Sequence, residues 1–405
     1  MTKSVYAVAT MDTKGVELSW VASLLRNIGV SVKTVDIGTR RVPDLTPDVS
    51  REIVLGTECS ALSGLDRGQA IGRMAEALRS YLVAETAAGR VAGVIGLGGS
   101  GGTSLITTAM RALPIGLPKL MVSTVASGNV GPYIDCNDIT MMYSVVDVAG
   151  LNAVSEIILG NAARAMAGMV SHEAVPTSAR PALGMTMFGV TTPCVDQVRS
   201  QLEADGYDCL VFHATGAGGR AMEQLVASGL ISGVLDITTT EVADEVVGGV
   251  FPAGPHRFEK LLASRVPLVL SLGALDMVNF GAMDSVPAQF RHRKLHVHNS
   301  QVTLMRTSVE DNRQIAAWIA EKLNQSVAPL TLLIPSGGVS LLDVPGQPFY
   351  DPEADAALFD ELSKRLHVTD ERQLIRLPDA INSPEFSAAL VEHFRTLIEE
   401  RRGTE

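Results

Sequence analysis

Short apolar runs alternate with amphipathic segments along most of the chain. Residues 5–10 are an apolar run. The polar stretch Met11-Asp12-Thr13-Lys14-Gly15 follows, and residues 16–26 place Val16, Trp20 and Leu24, flanked by Val21 and Leu25, on one stripe. Apolar positions recurring at that spacing mark a helix face. Asn27-Ile28-Gly29 ends the stripe and residues 30–37 turn apolar again, so the opening segment predicts one right-handed βαβ unit. Residues 67–88 read as a helix. Residues 91–108, VAGVIGLGGSGGTSLITT, read as strand, glycine cluster and helix, with Thr103 or Ser104 as the expected cap. Residues 120–124 are a strand and residues 151–170 a long Ala-rich helix. Two stretches lose the period. Residues 40–65 are polar and proline-containing and read as a lid or subunit contact. Residues 172–181, HEAVPTSARP, read as a linker.

Beyond that linker the same plan restarts. Residues 183–190 are a strand, Thr191-Thr192-Pro193 a loop, residues 195–204 a helix stopped by Gly206, and residues 209–213 a strand. LLRNIGVSVKTVDIGT is echoed by QLEADGYDCLVFHATG, GVIGLGGSGG by GVLDITTTEV, and KLMVSTVASG by PLVLSLGALD, in the same order and at similar spacing. The pattern predicts an α/β protein of two Rossmann-like, doubly wound subdomains related by a diverged internal duplication, over residues 1–175 and 182–405. Later elements are a strand at 330–334, a helix at 355–365 and a closing amphipathic helix at 384–401.

Composition narrows the function classes. Hydrophobic residues make up 46% and charged ones 19%, which supports large cores and argues against disorder. A net charge of -11 argues against a nucleic-acid surface. No apolar run is long enough for a bilayer, so no membrane partner is expected. The N-terminus MTKSVYAVATMDTKG has no signal-peptide pattern, and Cys59, Cys136, Cys194 and Cys209 have no paired spacing, so a cytoplasmic protein with reduced thiols is expected.

In open α/β sheets ligands bind beyond the carboxyl ends of the strands. In the first half that rule selects Asp12, Thr13, Lys14, Asp36, Gly98, Gly99, Ser100, Gly101, Gly102, Thr103, Ser123 and Thr124. Side-chain-free residues ahead of a helix expose backbone N–H groups at the positive end of its dipole, an anion site. Lys14 then serves as phosphate cation, Thr13 as hydroxyl donor, Asp12 as support for a Mg²⁺-bound triphosphate and Asp36 as ribose ligand. In the second half the strand ends carry His213, the glycine loop Gly216, Gly218, Gly219 with Arg220, then Thr239, Thr240, Glu241 and Asp244, then Asp276 and Asn279, then Asn299 and Arg306. Such groups suit a small polar or anionic metabolite, with His213 and either Glu241 or Asp276 as an acid/base pair. His296 and His298 share a strand face that a metal can use, its identity unassigned.

The stretches ATMDTKGVEL, GLGGSGGTSL, PKLMVSTVASGNVGPYIDCNDITMMYSVVDVAGLN, VFHATGAGGRAME, GVLDITTTEVADEVVGG, GALDMVNFG, HNSQVTLMRT and GQPFYDPEAD resemble the family of the N-terminal domain of the tomato tobamovirus-resistance protein. The resemblance covers nearly the whole chain. It implies two Rossmann-like subdomains, dimerisation and ATP bound by the first subdomain. In the plant protein the unit is joined to a C-terminal TIM-barrel-like domain and binds a viral replication protein. The sequence given ends at Glu405, so a unit without that barrel is expected and antiviral binding is not carried over. The resulting expectation is a homodimeric, ATP- and Mg²⁺-using metabolic enzyme acting on a small metabolite by phosphoryl transfer or ATP-driven activation. Two alternatives stay open: a lyase, isomerase or hydrolase with a regulatory nucleotide, and a non-catalytic, nucleotide-responsive binding module.

Overall fold

Every residue of Ser4–Ala9 in the first apolar run is buried, as a strand covered on both faces of a parallel sheet requires. The computed structural model describes residues 3–56, 64–171 and 180–404, with side chains to residue 400. The expected linker therefore lies mostly outside the described residues, as does Cys59. The chain divides into two units, Met1–Pro176 and Thr177–Glu405.

Unit 1 runs β1 (Ser4–Ala9), α1 (Met11–Asn27), β2 (Val32–Asp36), α2 (Arg51–Leu55), α3 (Arg67–Ala87), β3 (Val91–Gly98), α4 (Ser100–Met110), β4 (Lys119–Ser123), α5 (Gly131–Ile134), β5 (Thr140–Tyr143) and α6 (Ala153–Ser171). The five strands form one parallel sheet in the order β2-β1-β3-β4-β5. Alternate side chains of each strand serve opposite cores. Tyr6, Val8 and Val94 pack with Leu78 and Leu82 of α3 and Ile106 and Met110 of α4. Val5, Ala7 and Ile95 pack with Leu18 and Val21 of α1 and Leu159 and Met166 of α6. The winding direction reverses between β1 and β3, so the ligand crevice of this topology opens beyond their carboxyl ends.

Unit 2 runs β6 (Ala182–Met187), α7 (Thr192–Ala204), β7 (Asp208–His213), α8 (Ala217–Ala227), β8 (Gly233–Thr238), α9 (Thr240–Val247), α10 (Glu259–Ala263), β9 (Leu268–Gly273), β10 (Met277–Phe280), β11 (Leu295–Asn299), β12 (Val302–Arg306), α11 (Val309–Leu323), β13 (Leu330–Pro335), α12 (Pro352–Arg365), β14 (Arg372–Leu377) and α13 (Pro384–Thr404). Its six parallel strands are ordered β14-β13-β9-β8-β6-β7. Ranked by chain position, both sheets begin 2-1-3-4-5, a Rossmann-like order. Between β9 and β13 the chain adds a small antiparallel sheet, β10-β12-β11.

Two boundaries differ from the sequence expectation for an identifiable reason. Helix α1 begins at Met11, not Val16, because Asp36 Oδ1 accepts the Met11 N–H at 3.0 Å and anchors a first turn there. Asp12, Thr13 and Lys14 are thus helical, with Lys14 distorted to φ -131°. Helix α4 begins at Ser100 with Gly99 as its cap, because Thr103 Oγ1 is turned to Ser123 Oγ at 2.6 Å instead of capping. The aperiodic stretch 40–65 holds α2 and a bridge from Val35 to Val49.

Candidate functional site

In unit 1, the glycines at the start of α4 fall into two kinds. A Cβ on Gly98 would lie 2.8 Å from the Thr103 nitrogen, so packing accounts for that glycine. On Gly99, Gly101 and Gly102 the nearest atoms would be 3.8, 3.4 and 3.8 Å away, ordinary contacts. None of the three has a positive φ. The packing of the chain does not require them to be glycine. Their bareness leaves the start of α4 open: Gly99 provides no side-chain cap, and the first helical bond is Thr103 N–H to Gly99 O at 2.8 Å. Among the described residues, the N–H groups of Ser100, Gly101 and Gly102 have no acceptor. Three aimed donors at a helix N-terminus bind an oxyanion.

The flanking candidates are partly committed. Asp36 receives Met11 and Gly38 N–H groups on one oxygen and Arg51 on the other, at 2.7–3.0 Å. Both oxygens are engaged by the chain itself. Lys14 Nζ donates to Val148 O and so ties α1 to the segment after β5. Asp12 Oδ2 accepts the Arg40 and Arg41 N–H groups at 3.2 and 3.4 Å, while Oδ1 carries no hydrogen bond among the described residues. Thr13 is exposed, with its hydroxyl on Thr10 O at 3.1 Å. Thr103 and Ser123 are buried against each other, and Thr124 sits half-buried at the rim.

Unit 2 uses its polar strand ends differently. Arg257, which sequence reasoning missed, is fully buried and receives three carboxylates: Glu223 at 2.7 Å, Asp236 at 2.7 Å and Glu241 at 2.6 Å. The other Glu241 oxygen accepts the Gly216 N–H at 2.7 Å. Burial raises the pKa of both Glu223 and Asp236, against the lowering influence of the Arg257 charge. Burial opposes the charge on Arg257, but the carboxylates hold its pKa well above the ordinary value. The second glycine loop is explained by this packing. A Cβ on Gly219 would sit 1.9 Å from Glu241 Oε1, one on Gly218 2.0 Å from His213 O, and one on Gly216, at φ 79°, 2.4 Å from Pro252 O. Gly219→Ala is therefore expected to cost unit 2 more than about 3 kcal/mol, the range for breaking a buried ion pair. Gly101→Ala should be neutral or stabilising by about 0.5–1 kcal/mol. Denaturant titration of both variants checks the contrast, and equal effects would contradict it.

A second network surrounds Arg306, which is 3% exposed. It pairs with Asp355 and, at 3.3 Å, Asp343, and its Nε donates to Phe349 O at 2.6 Å. Burial, reinforced by the charges of Asp276 and Asp355, pushes Asp343 up to about 9. Burial raises Asp276 to about 6. Ser340 donates to one Asp276 oxygen at 2.8 Å, and the other, buried, has no partner. Asp244 accepts the Asn279 and Phe251 N–H groups at 2.7 and 2.8 Å, and burial raises it to about 7. Thr239 and Thr240 are fully buried. The candidates Glu241, Asp244, Asp276, Asn279 and Arg306 are thus engaged with other protein groups. His213 stands exposed on edge strand β7, edge-on to Phe188 at 5.3 Å, and bonds neither Glu241 nor Asp276. Arg220 is half-buried on α8. Asn299 is exposed and closes a turn onto the Gln301 N–H at 2.8 Å. His296 packs edge-on to Phe349 at 6.0 Å, and His298 is exposed. Among the described residues no cluster of three or more His, Cys, Asp or Glu is arranged to hold a metal. No described helix is long and apolar enough to cross a membrane.

Two parallel, doubly wound sheets of matching strand order define a two-unit, Rossmann-like α/β protein. The chain belongs to the Uncharacterised protein family (UPF0261), whose N-terminal domain matches residues 3–175 and whose C-terminal domain matches residues 180–398. It is 53% identical to a UPF0261 protein of Rhizobium meliloti, over 98% of this chain and 99% of that one. A UPF0261 protein of Mesorhizobium japonicum is 48% identical over 96% and 98% of the two chains. The ToMV resistance protein Tm-1 of Solanum lycopersicum is 46% identical over 99% of this chain and 56% of its own length.

Proposed function

We propose that unit 1 binds ATP, with the phosphates on the bare N–H groups of Ser100, Gly101 and Gly102 at the β1/β3 crevice. The observation that carries the reading is the set of three glycines, Gly99, Gly101 and Gly102, that neither packing nor backbone conformation explains. The crevice position and the family resemblance support it. Mg²⁺ would arrive on the polyphosphate, held mainly by phosphate oxygens and water, with Asp12 Oδ1 as a protein ligand. Unit 2 devotes its acidic and basic groups to internal networks, which favours a nucleotide-responsive binding protein over a preformed catalytic cleft among those residues. The common 2-1-3-4-5 order also supports descent of the two units from one duplicated ancestor.

A thermal-shift titration tests the reading. Saturating ATP, at about a hundred times its dissociation constant, stabilises the native state by about 2.7 kcal/mol and raises the melting temperature of the transition that includes unit 1. An unchanged melting curve at millimolar ATP and Mg²⁺ contradicts it.

A further inference from the structure

We infer that Tyr143, at the end of edge strand β5, is the stacking platform for the nucleotide's base; this rests on the ATP reading above. The register fixes its place. Gly98 pairs with Ser123 across β3 and β4, and Ser123 pairs with Tyr143 across β4 and β5. Tyr143 therefore stands level with the glycine loop, two strand spacings or about 10 Å along the same rim. In a nucleotide the base lies one ribose beyond the α-phosphate, a separation of that order.

The face is also right. Met142 packs with the core under α1 and α6, and Met141 with the core under α3 and α4. Side chains alternate along a strand, so Tyr143 shares the face of Met141, on which α4 lies. The residue is 41% exposed, and among the described residues neither its ring nor its hydroxyl has a partner. Val145 adds a second apolar surface. It sits at φ 62°, a backbone region that disfavours β-branched residues, in a tight turn closed by Val146 N–H to Ser144 O at 2.7 Å. The turn leaves Val145 58% exposed. The rim thus runs from bare amide donors at β3 to an aromatic face and an aliphatic edge at β5, the same polar-to-apolar sequence as a nucleotide from phosphate to base.

The test compares ATP with inorganic tripolyphosphate by calorimetry on the full chain. Tyr143→Ala should weaken ATP about tenfold, as loss of one base–aromatic stack does, and leave tripolyphosphate unchanged. Tyr143→Phe should retain ATP. If Tyr143→Ala binds ATP as the unmodified chain does, or loses both ligands equally, the stacking role is wrong while the phosphate reading stands. If the unmodified chain binds neither ligand, both fall.

Discussion

Replacing Arg257 by methionine is expected to destabilise unit 2 at neutral pH by about 3–5 kcal/mol, the cost of stranding a buried charge by removing its partner. That is a large fraction of the stability of an ordinary domain. Methionine keeps an unbranched apolar stem in place of the arginine's and so limits the cavity, though it is shorter by the guanidinium end. Glu223, Asp236 and Glu241 would keep only their remaining hydrogen bonds in a site closed to water. The pH dependence separates this cause from simple mispacking. Burial already raises the folded-state pKa of Glu223 and Asp236 above the unfolded value. A raised acid contributes stability that is fully present below its unfolded pKa and is lost as pH rises through the folded one. Removing Arg257 raises both further, so the penalty should be small near the ordinary carboxylate range and widen toward neutral and alkaline pH. The unmodified chain should itself lose stability as pH climbs from about 4 toward 9, because Asp276 is raised to about 6, Asp244 to about 7 and Asp343 to about 9. Denaturant titrations at acidic and alkaline pH measure both effects. A penalty for Arg257→Met that does not change with pH would remove the ion cluster as its cause.

These networks mark the limit of what the sequence discloses. The alternation of apolar runs and amphipathic segments is local, so β1, α3, α6, β8, β9 and α13 are readable from short windows. The small sheet β10-β12-β11 is not: β10 is four residues long, and its pairing with β12 joins residues as distant as Met277 and Arg306. The same holds for Arg257. Its partners lie 16, 21 and 34 positions away, and its own segment, Gly254-Pro255-His256-Arg257-Phe258, has no period. A glycine-rich stretch followed by polar residues looks alike whether it waits for a ligand or accommodates the protein's own guanidinium. Only the space around each missing Cβ distinguishes Gly219, which has none, from Gly101, which has room.

That distinction makes Gly101→Asp the decisive variant for unit 1. Gly101 is the second residue of α4, and a Cβ there would meet only Ile71 Cδ1, at 3.4 Å. Aspartate in the first turn of a helix is favourable by about 0.3–1 kcal/mol through the helix dipole. Loss of the flexible glycine adds a comparable amount. The variant should therefore melt at or above the temperature of the unmodified chain. Its carboxylate, however, would stand where the polyphosphate is proposed to lie. Juxtaposed like charges at a binding surface cost several kcal/mol, so ATP and tripolyphosphate should both weaken by about a hundredfold or more, at 1.4 kcal/mol per tenfold. Stability retained and binding lost is the combination that a misfolded variant cannot produce. If instead calorimetry finds ATP bound as tightly as before, the nucleotide is held elsewhere and the bare start of α4 has some other purpose.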